Sequence, residues 1–305
     1  MQNRLPNLII AGVTKAGTTS LYFYLVQHPD ICGSTVKETE YFSPLQYPDG
    51  ELASLDTYRR YFRRYRNERY LMEATPSYWY GGARLLERIE RTLGAPRYLI
   101  SLRNPVDRFW SDYTYMCSKA LLPGDMNVVD YLERCIELRN ARRDFDRENR
   151  YFRTLSTGLY IDHLPRWFDA VGDRLRIVFF EDLVVQPGAV VQQMWSWLGL
   201  DPSLVRELKA EKYNKTISHR SRHLQRAAYA ANRKVGWLVH DRPALKSLLV
   251  GAYYTINRAG PRREKLPGDV RARLEEFYAP ANAALAHELR TRGIGPLPAW
   301  LQREE

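Results

Sequence analysis

The stretch that decides the fold is LIIAGVTKAGTTS, residues 8–20. Its apolar start, Leu8 to Ala11, ends at Gly12, which is typical of a buried parallel strand. A loop rich in Gly, Thr and Lys follows, and residues 21–26 continue as an apolar helical stretch. Backbone N–H groups at a helix N-terminus, with Gly permitting close approach, form a ready anion site. The stretch therefore predicts a strand, an anion-binding loop and a helix in succession.

Further strand and helix patterns alternate along the chain. Apolar runs at residues 70–72, 98–102 and 175–180 indicate strands, and residues 83–93 and 189–198 indicate helices. Such alternation is typical of a parallel sheet covered by helices on both faces. We therefore predict an α/β fold: a P-loop-like parallel β-sheet of about five strands, flanked by helices, with a helical C-terminal part.

The last third of the chain changes in composition. Residues 205–265 are rich in Arg, Lys, Tyr and His and carry weak strand signals, and helical spacing returns at residues 271–290. We predict a single domain over residues 1–305, in which residues 205–265 form a basic, mostly helical segment.

The net charge of +11 narrows the classes of partner. Such an excess of Lys and Arg favours a nucleotide, an acidic polymer, nucleic acid or a membrane surface, although an Arg-rich protein can also be basic without such a partner. With 45% hydrophobic and 27% charged residues, the chain is globular rather than disordered.

Three cysteines, Cys32, Cys117 and Cys135, show no CxxC spacing. This argues against a disulfide framework or a zinc ribbon and suits a reducing compartment. We find no signal-peptide pattern and no apolar run near the roughly 20 residues that span a bilayer. We therefore expect a cytoplasmic protein without a transmembrane segment, and the sequence indicates no oligomeric state.

The loop after the first strand differs from that of a P-loop NTPase. Gly12 and Gly17 have the Walker A spacing, but Thr18 stands where the lysine belongs, and Lys15 precedes Gly17 by two positions. A Walker B strand would end in an Asp for Mg²⁺, whereas the best later strand ends in Arg103. These departures argue against a P-loop kinase and predict a phosphate-like ligand without a metal site.

A second motif follows at residues 102–111, LRNPVDRFWS. Arg103 stands at the carboxyl end of a strand, where open α/β sheets bind ligands. Pro105 suits the first turn of a helix, which places Ser111 about two turns along it. A guanidinium and a hydroxyl suit a terminal phosphate, so the motif predicts a second anion site.

Together the two motifs resemble the 5′-phosphosulfate loop and the 3′-phosphate motif of the PAPS-dependent sulfotransferases, in the branch of heparan-sulfate-type and bacterial enzymes. The resemblance extends over nearly the whole chain, with landmarks at residues 156–160, 179–183, 197–200 and 273–278. It implies metal-independent, in-line transfer of a sulfonate group from 3′-phosphoadenosine 5′-phosphosulfate (PAPS) to a hydroxyl or amine, with release of PAP.

The resemblance also implies roles in the donor site. Lys15 would contact the bridging and sulfonate oxygens, and Arg103 and Ser111 the 3′-phosphate. A late basic loop with Arg220 and Arg222 would cover the 3′-phosphate and adenine, so residues 205–265 are a lid or an acceptor-side segment. The 5′-phosphate would be held by the loop and the first helical turn: Ala16, Gly17, Thr18, Thr19 and Ser20.

For the acceptor side, the resemblance places a general base at Glu38, with Glu40 two positions on. Burial among aromatic residues would raise the basicity of Glu38, whereas a surface ion pair with Lys37 is the plainer alternative. Heparan-type enzymes commonly carry a lysine where this chain has Ala74, and Lys37 is our candidate substitute. If neither glutamate is the base, His163 is the next candidate.

The identity of the acceptor is not encoded in any motif that we find. A carbohydrate, a glycolipid or a natural-product hydroxyl each fits, and the basic composition favours an acidic or extended acceptor. Nucleic acid is not expected as a partner, because no RNP-like or zinc-finger pattern is present. The histidine pair His219 and His223 has helical spacing but no third ligand, so no metal is expected.

Overall fold

The computed structural model describes residues 5–123, 126–211, 217–219, 258–261 and 265–302. These ranges contain the strands β1 Leu8–Gly12, β2 Ile31–Gly33, β3 Tyr70–Ala74, β4 Arg97–Leu102, β5 Leu175–Phe179, β6 Ile217–His219 and β7 Arg258–Pro261. The α-helices are α1 Thr18–Leu25, α2 Leu55–Arg59, α3 Gly82–Leu93, α4 Pro105–Ser118, α5 Val128–Asn140, α6 Leu164–Val171, α7 Phe180–Val185, α8 Pro187–Trp197 and α9 Gly268–Thr291. Short 3₁₀ helices include Ser43–Gln46, Arg60–Phe62, Pro76–Tyr80 and Pro202–Glu207.

The first five strands form one parallel sheet in the order β2-β3-β1-β4-β5. This confirms the predicted parallel sheet of five strands, and α9 confirms the helical C-terminal part. β1 is central, with β3 on one side and β4 on the other. The connections therefore diverge at the carboxyl end of β1, and ligands of open α/β sheets bind at such a switch point.

Apolar side chains cover both faces of this sheet, which explains why its strands are continuous hydrophobic runs. Ile9 and Ile100 pack in one core with Leu85 of α3 and Trp167 of α6. Leu8, Ile10 and Leu99 pack in the other core, which includes Leu21 of α1 and Val191 of α8. Side chains alternate across a strand, so neighbouring residues of β1 and β4 enter opposite cores.

The chain groups into two compact units. The first contains residues 1–109, 155–213 and 272–305, and therefore the whole five-stranded sheet. The second contains residues 110–154 and 214–271. In the second unit, the Asn127 side chain caps α5 by accepting hydrogen bonds from the N–H groups of Val129 and Asp130, at 2.9 and 3.0 Å.

The second unit also contains a feature that the weak strand signals of residues 205–265 did not predict. β6 and β7 pair there as a two-stranded antiparallel ladder. The predicted helical character of this segment falls mainly on residues outside the described ranges. The single domain over residues 1–305 stays a prediction.

Candidate active site

The loop after β1 is hydrogen-bonded to the carboxyl end of β4. The backbone N–H of Val13 donates to the carbonyl of Ser101 at 3.0 Å, and the Ser101 hydroxyl donates to the carbonyl of Ala16 at 2.6 Å. The Arg103 guanidinium donates through Nη1 to the carbonyl of Lys15 at 2.9 Å. Three hydrogen bonds from one strand end therefore fix the loop that the sequence singled out.

The first turn of α1 is suited to an anion. Its N-cap, Gly17, has a left-handed φ of 75° and provides no side-chain cap, and no acidic residue lies in the turn. A Cβ on Gly17 would lie 2.7 Å from a ring carbon of Phe180, so a larger residue does not fit. The first N–H groups of a helix have no intrahelical acceptor and carry the positive end of the helix dipole.

Side chains of the loop and first turn differ in exposure. Ala16 and Thr18 are buried, whereas Lys15, Thr19 and Ser20 are half-buried. Lys15 has a left-handed φ of 65°, a conformation that Cβ-bearing residues seldom adopt. The loop backbone therefore holds a strained lysine immediately before the helix.

Arg103 is embedded where β4 ends. Its guanidinium lies 4.4 Å from the centre of the Phe180 ring, and the Tyr160 hydroxyl donates to the Arg103 carbonyl at 2.8 Å. Burial lowers the pKa of Arg103 below its ordinary value, and Asp107 and Glu181 oppose that shift. The sequence motif did not include Phe180, which contacts both Gly17 and Arg103 and so joins the two predicted anion sites.

The remaining residues of the predicted donor site belong to the second unit or fall outside the described ranges. Ser111 is on α4 and belongs to the second unit, and its carbonyl accepts a hydrogen bond from the Thr114 hydroxyl at 3.1 Å. Arg220 and Arg222 lie outside the described residues, as does His223. The structure thus brings Arg103 together with the 15–20 loop and leaves the other assignments as predictions.

The segment that contains the candidate base is hydrogen-bonded to the end of β3 at each of three successive residues. The Glu38 N–H donates to the Ala74 carbonyl at 3.0 Å, and the Glu40 N–H donates to the Thr75 hydroxyl at 3.3 Å. Between them, the Thr39 hydroxyl donates to the Glu73 carboxylate. Three successive residues at the end of β3 therefore hold three successive residues of the segment.

Glu38 forms the ion pair that the plainer alternative predicted. Lys37 Nζ lies 2.6 Å from Glu38 Oε1, and the Glu38 side chain is 47% exposed. Glu38 is therefore not enclosed by aromatic residues. Glu38 and Glu40 have left-handed φ values of 63° and 51°, so their shared exposure comes from a turn and not from an extended strand.

The carboxyl enclosed by aromatic residues is that of Glu73, which the sequence analysis did not identify. Glu73 is 0% exposed on β3, and burial raises its pKa to about 7. Tyr58 and Tyr78 face it, and burial raises their own pKa values well above the ordinary range. The sequence did contain a signal for this carboxyl, namely a glutamate inside an otherwise apolar strand. A glutamate in such a place is seldom fully buried without a partner.

The raised pKa of Glu73 predicts a pH-dependent stability. The folded state holds a proton on Glu73 up to pH of about 7, whereas the unfolded chain releases it near 4.5. The contribution of Glu73 to stability is therefore greatest at low pH and falls by about 2–3 kcal/mol between pH 5 and pH 8, while Tyr58 and Tyr78 stay neutral. Glu73→Gln should remove this fall in urea unfolding at the two pH values.

The exposed Glu87 provides the matched control for this measurement, since its side chain is 66% exposed. Glu87→Gln should unfold with the pH profile of the wild type. If Glu73→Gln also keeps the wild-type profile, the buried carboxyl does not titrate between pH 5 and pH 8.

His163, the reserve candidate for the base, precedes α6. Its ring lies 5.5 Å from that of Tyr80, and the Tyr80 hydroxyl is 3.4 Å from the Thr14 hydroxyl in the loop after β1. Burial, with Arg166 nearby, lowers the pKa of His163 to about 4. Its imidazole is therefore neutral at pH 7 and able to accept a proton.

The described ranges contain neither of two further features, a metal-ligand cluster or a membrane-spanning helix. Within those ranges, no three His, Cys, Asp or Glu side chains are grouped so as to bind a metal ion. No helix in the same part of the chain is long and apolar enough to cross a bilayer.

Comparison with known proteins places this geometry in a family. The sequence profile described as the sulfotransferase domain matches residues 5–281. The chain belongs to the sulfotransferase family. The predicted membership is thereby confirmed, and the matched range includes the loop after β1, Arg103 and the Glu38 segment.

Individual relatives agree with this family. The human protein named bifunctional heparan sulfate N-deacetylase/N-sulfotransferase 2 is 25% identical over 99% of this chain and 31% of its own length. The membrane-associated sulfotransferase kil1 of Dictyostelium discoideum is 35% identical over 36% of this chain and 23% of its own length. The chain thus spans about a third or less of these relatives.

A solved structure supports the fold. The sulfotransferase of Alicyclobacillus acidocaldarius superimposes with a TM-score of 0.69 at 23% identity, covering 97% of this chain and 98% of its own. The likeness covers nearly the whole of both chains, so the parallel sheet and its flanking helices are a sulfotransferase fold.

Proposed function

We propose that this sulfotransferase family member transfers a sulfonate group from PAPS to a hydroxyl or amine of an acceptor and releases PAP. The observation that carries the proposal is the loop at the carboxyl end of β1, bound to Arg103 at the switch point of the sheet. Its strained lysine, uncapped helix start and neighbouring guanidinium form an anion site of the kind that the donor requires.

The donor would be held along this edge of the sheet. Main-chain donors of Ala16 and Gly17, with Thr18, Thr19 and Ser20, would hold the 5′-phosphate, and Arg103 with Ser111 the 3′-phosphate. Arg220 and Arg222 are proposed to cover that phosphate. The donor supplies the activated sulfonate group. A transferring sulfonate carries less charge than a phosphoryl group, so Lys15 and the backbone donors are sufficient to stabilise it without a metal.

On the acceptor side, Glu38 would take the proton that the attacking hydroxyl or amine loses. Its exposure makes the carboxylate accessible to an acceptor, and a positioned carboxylate is a suitable general base. Lys37, whose ammonium is 2.6 Å away, would supply the positive charge that heparan-type enzymes place at the position of Ala74. Ala74 itself is 0% exposed, so its side chain faces the core.

A carbohydrate is the acceptor class that we favour. The human relative's name refers to heparan sulfate. In this chain, Arg60, Arg63, Arg64 and Arg66 are exposed, and the carbonyl of Tyr61, which stands among them in the sequence, accepts a 2.7 Å hydrogen bond from the N–H of Thr35, three residues before Glu38. Exposed guanidinium groups suit an acidic polymer.

We also propose a cytoplasmic location, on the cysteine pattern alone.

The proposal is tested by incubating the protein with radiolabelled PAPS and a panel of sugars, glycolipids and phenols. We expect labelled product from at least one acceptor class, with equal yield after addition of EDTA. A thermal shift with PAP, but not with ATP or an oligonucleotide, is the matching binding result, since a ligand of the native state raises its melting temperature. Metal-dependent transfer from ATP would favour a kinase instead.

Arg103→Ala should weaken PAP binding by about ten- to a hundredfold, because a hydrogen bond to a charged group contributes about 1.5–3 kcal/mol. Isothermal calorimetry measures this change directly. Arg97 is the matched control, since it begins the same strand and donates to the carbonyl of Trp197 at 3.2 Å. Unchanged affinity in Arg103→Ala, or an equal loss in Arg97→Ala, would remove Arg103 from the donor site.

A further inference from the structure

The turn that presents Glu38 is held by a carboxyl that no substrate can reach. Glu73 is 0% exposed, and one of its oxygens accepts the hydrogen bond from the Thr39 hydroxyl. The hydroxyls of Tyr58 and Tyr78 lie close to the same buried carboxyl and favour its charged form. Burying a carboxyl away from water costs free energy, so the fold retains Glu73 at a cost.

Thr39 connects this buried group to the two exposed glutamates. Its oxygen also accepts a hydrogen bond from the Tyr41 N–H at 3.5 Å, so one hydroxyl bonds both Glu73 and the turn itself. Glu38 and Glu40, on either side, adopt left-handed backbone conformations, which non-glycine residues adopt only where the surroundings enforce them. In this structure, the contacts from residues 73–75 hold the two glutamates in these backbone conformations.

We infer that Glu73 is a positioning residue for the transfer reaction, fixing through Thr39 the turn that directs the Glu38 carboxylate to the acceptor. The inference rests on the proposed function. It assigns Glu73 no contact with either substrate. Its consequence is that loss of the Thr39 hydroxyl displaces the base without disturbing the donor loop.

The test is the isosteric change Thr39→Val, with Thr39→Ser as the conservative variant. We expect Thr39→Val to lower kcat by about 10- to 100-fold, since small displacements of a catalytic group have effects of this size. PAP affinity should stay within twofold of wild type, and Thr39→Ser should restore most of the turnover. Thr57→Val is the matched control, because the Thr57 hydroxyl bonds Ser54 at 3.1 Å on the exposed start of α2.

Hydrogen exchange gives a readout that is independent of activity. In Thr39→Val, the amides of Glu38, Glu40 and Tyr41 should exchange faster, while those of residues 18–25 keep wild-type protection. Glu73→Leu should have the same two effects, and adding Thr39→Val to it should cause little further loss, because residues that act through one bond are not additive.

Wild-type turnover or wild-type exchange in Thr39→Val overturns the inference, as does a loss of PAP affinity that parallels the loss of kcat. A wild-type protein that transfers no sulfonate overturns the proposed function, and the catalytic meaning of the inference with it. If the wild-type protein transfers sulfonate and Thr39→Val is equally active, the inference is overturned while the proposed function stands.

Discussion

Lys15→Ala is expected to lower turnover by about 10²-fold or more, because a preorganised cation aimed at developing charge contributes several kcal/mol to transition-state stabilisation. The change isolates the ammonium group. Alanine keeps the Cβ, so the left-handed φ of 65° is no more strained than with lysine, and the Lys15 carbonyl still accepts from Arg103. Single-turnover kinetics with labelled PAPS measures the loss.

Lys209→Ala is the control for removal of one positive charge, since Lys209 is exposed and its N–H bonds the Gln27 side chain at 2.8 Å. That variant should turn over at the wild-type rate. If Lys15→Ala also keeps near-wild-type turnover, the loop after β1 does not contact the transferred group, and our assignment of the donor site is wrong.

Glu38→Gln should lower turnover by about 10²–10⁴-fold while PAP affinity and the fold are retained, which is the usual range for loss of a general base. The amide has nearly the shape of the carboxylate. It also keeps an oxygen that accepts from Lys37, whose ammonium is 2.6 Å from the carboxylate in the wild type. A large loss therefore indicates proton transfer and not packing. Turnover and calorimetric PAP affinity are measured on the same preparation.

Glu40→Gln is the internal control, because Glu40 shares the exposure and the left-handed backbone of Glu38. We expect it to remain active. An inactive Glu40→Gln with an active Glu38→Gln would move the base by two positions. Normal turnover in both variants would transfer the role to His163, whose pKa of about 4 keeps it neutral at pH 7, or to an acceptor that is already deprotonated.

Local patterns predicted the elements that carry the donor site. β1 and α1 were expected at residues 8–11 and 21–26 and occupy Leu8–Gly12 and Thr18–Leu25. The helix begins earlier than its apolar residues because Gly17 supplies the left-handed N-cap. Arg103 was likewise placed at the end of a strand. These features depend on residues close together in the chain, so a linear reading is sufficient for them.

The acceptor side was predicted less well. The sequence analysis identified Glu38 but left open whether it is buried or paired with Lys37 at the surface, and it passed over Glu73, which is the buried carboxyl. Exposure is not a property of a short motif. It depends here on Tyr58 and Tyr78, which the fold brings to Glu73 from two other elements.

The sequence by itself determined the parallel α/β sheet, the sulfotransferase resemblance and the loop of residues 12–20, because periodicity, glycine placement and strand-end chemistry are local. Only the tertiary structure decided which glutamate is accessible and which is enclosed. Tyr58 and Tyr78 enclose the Glu73 side chain, and its hydrogen bond to Thr39 joins residues 34 positions apart. The pKa of a carboxyl follows its solvation and its partners, and folding determines both.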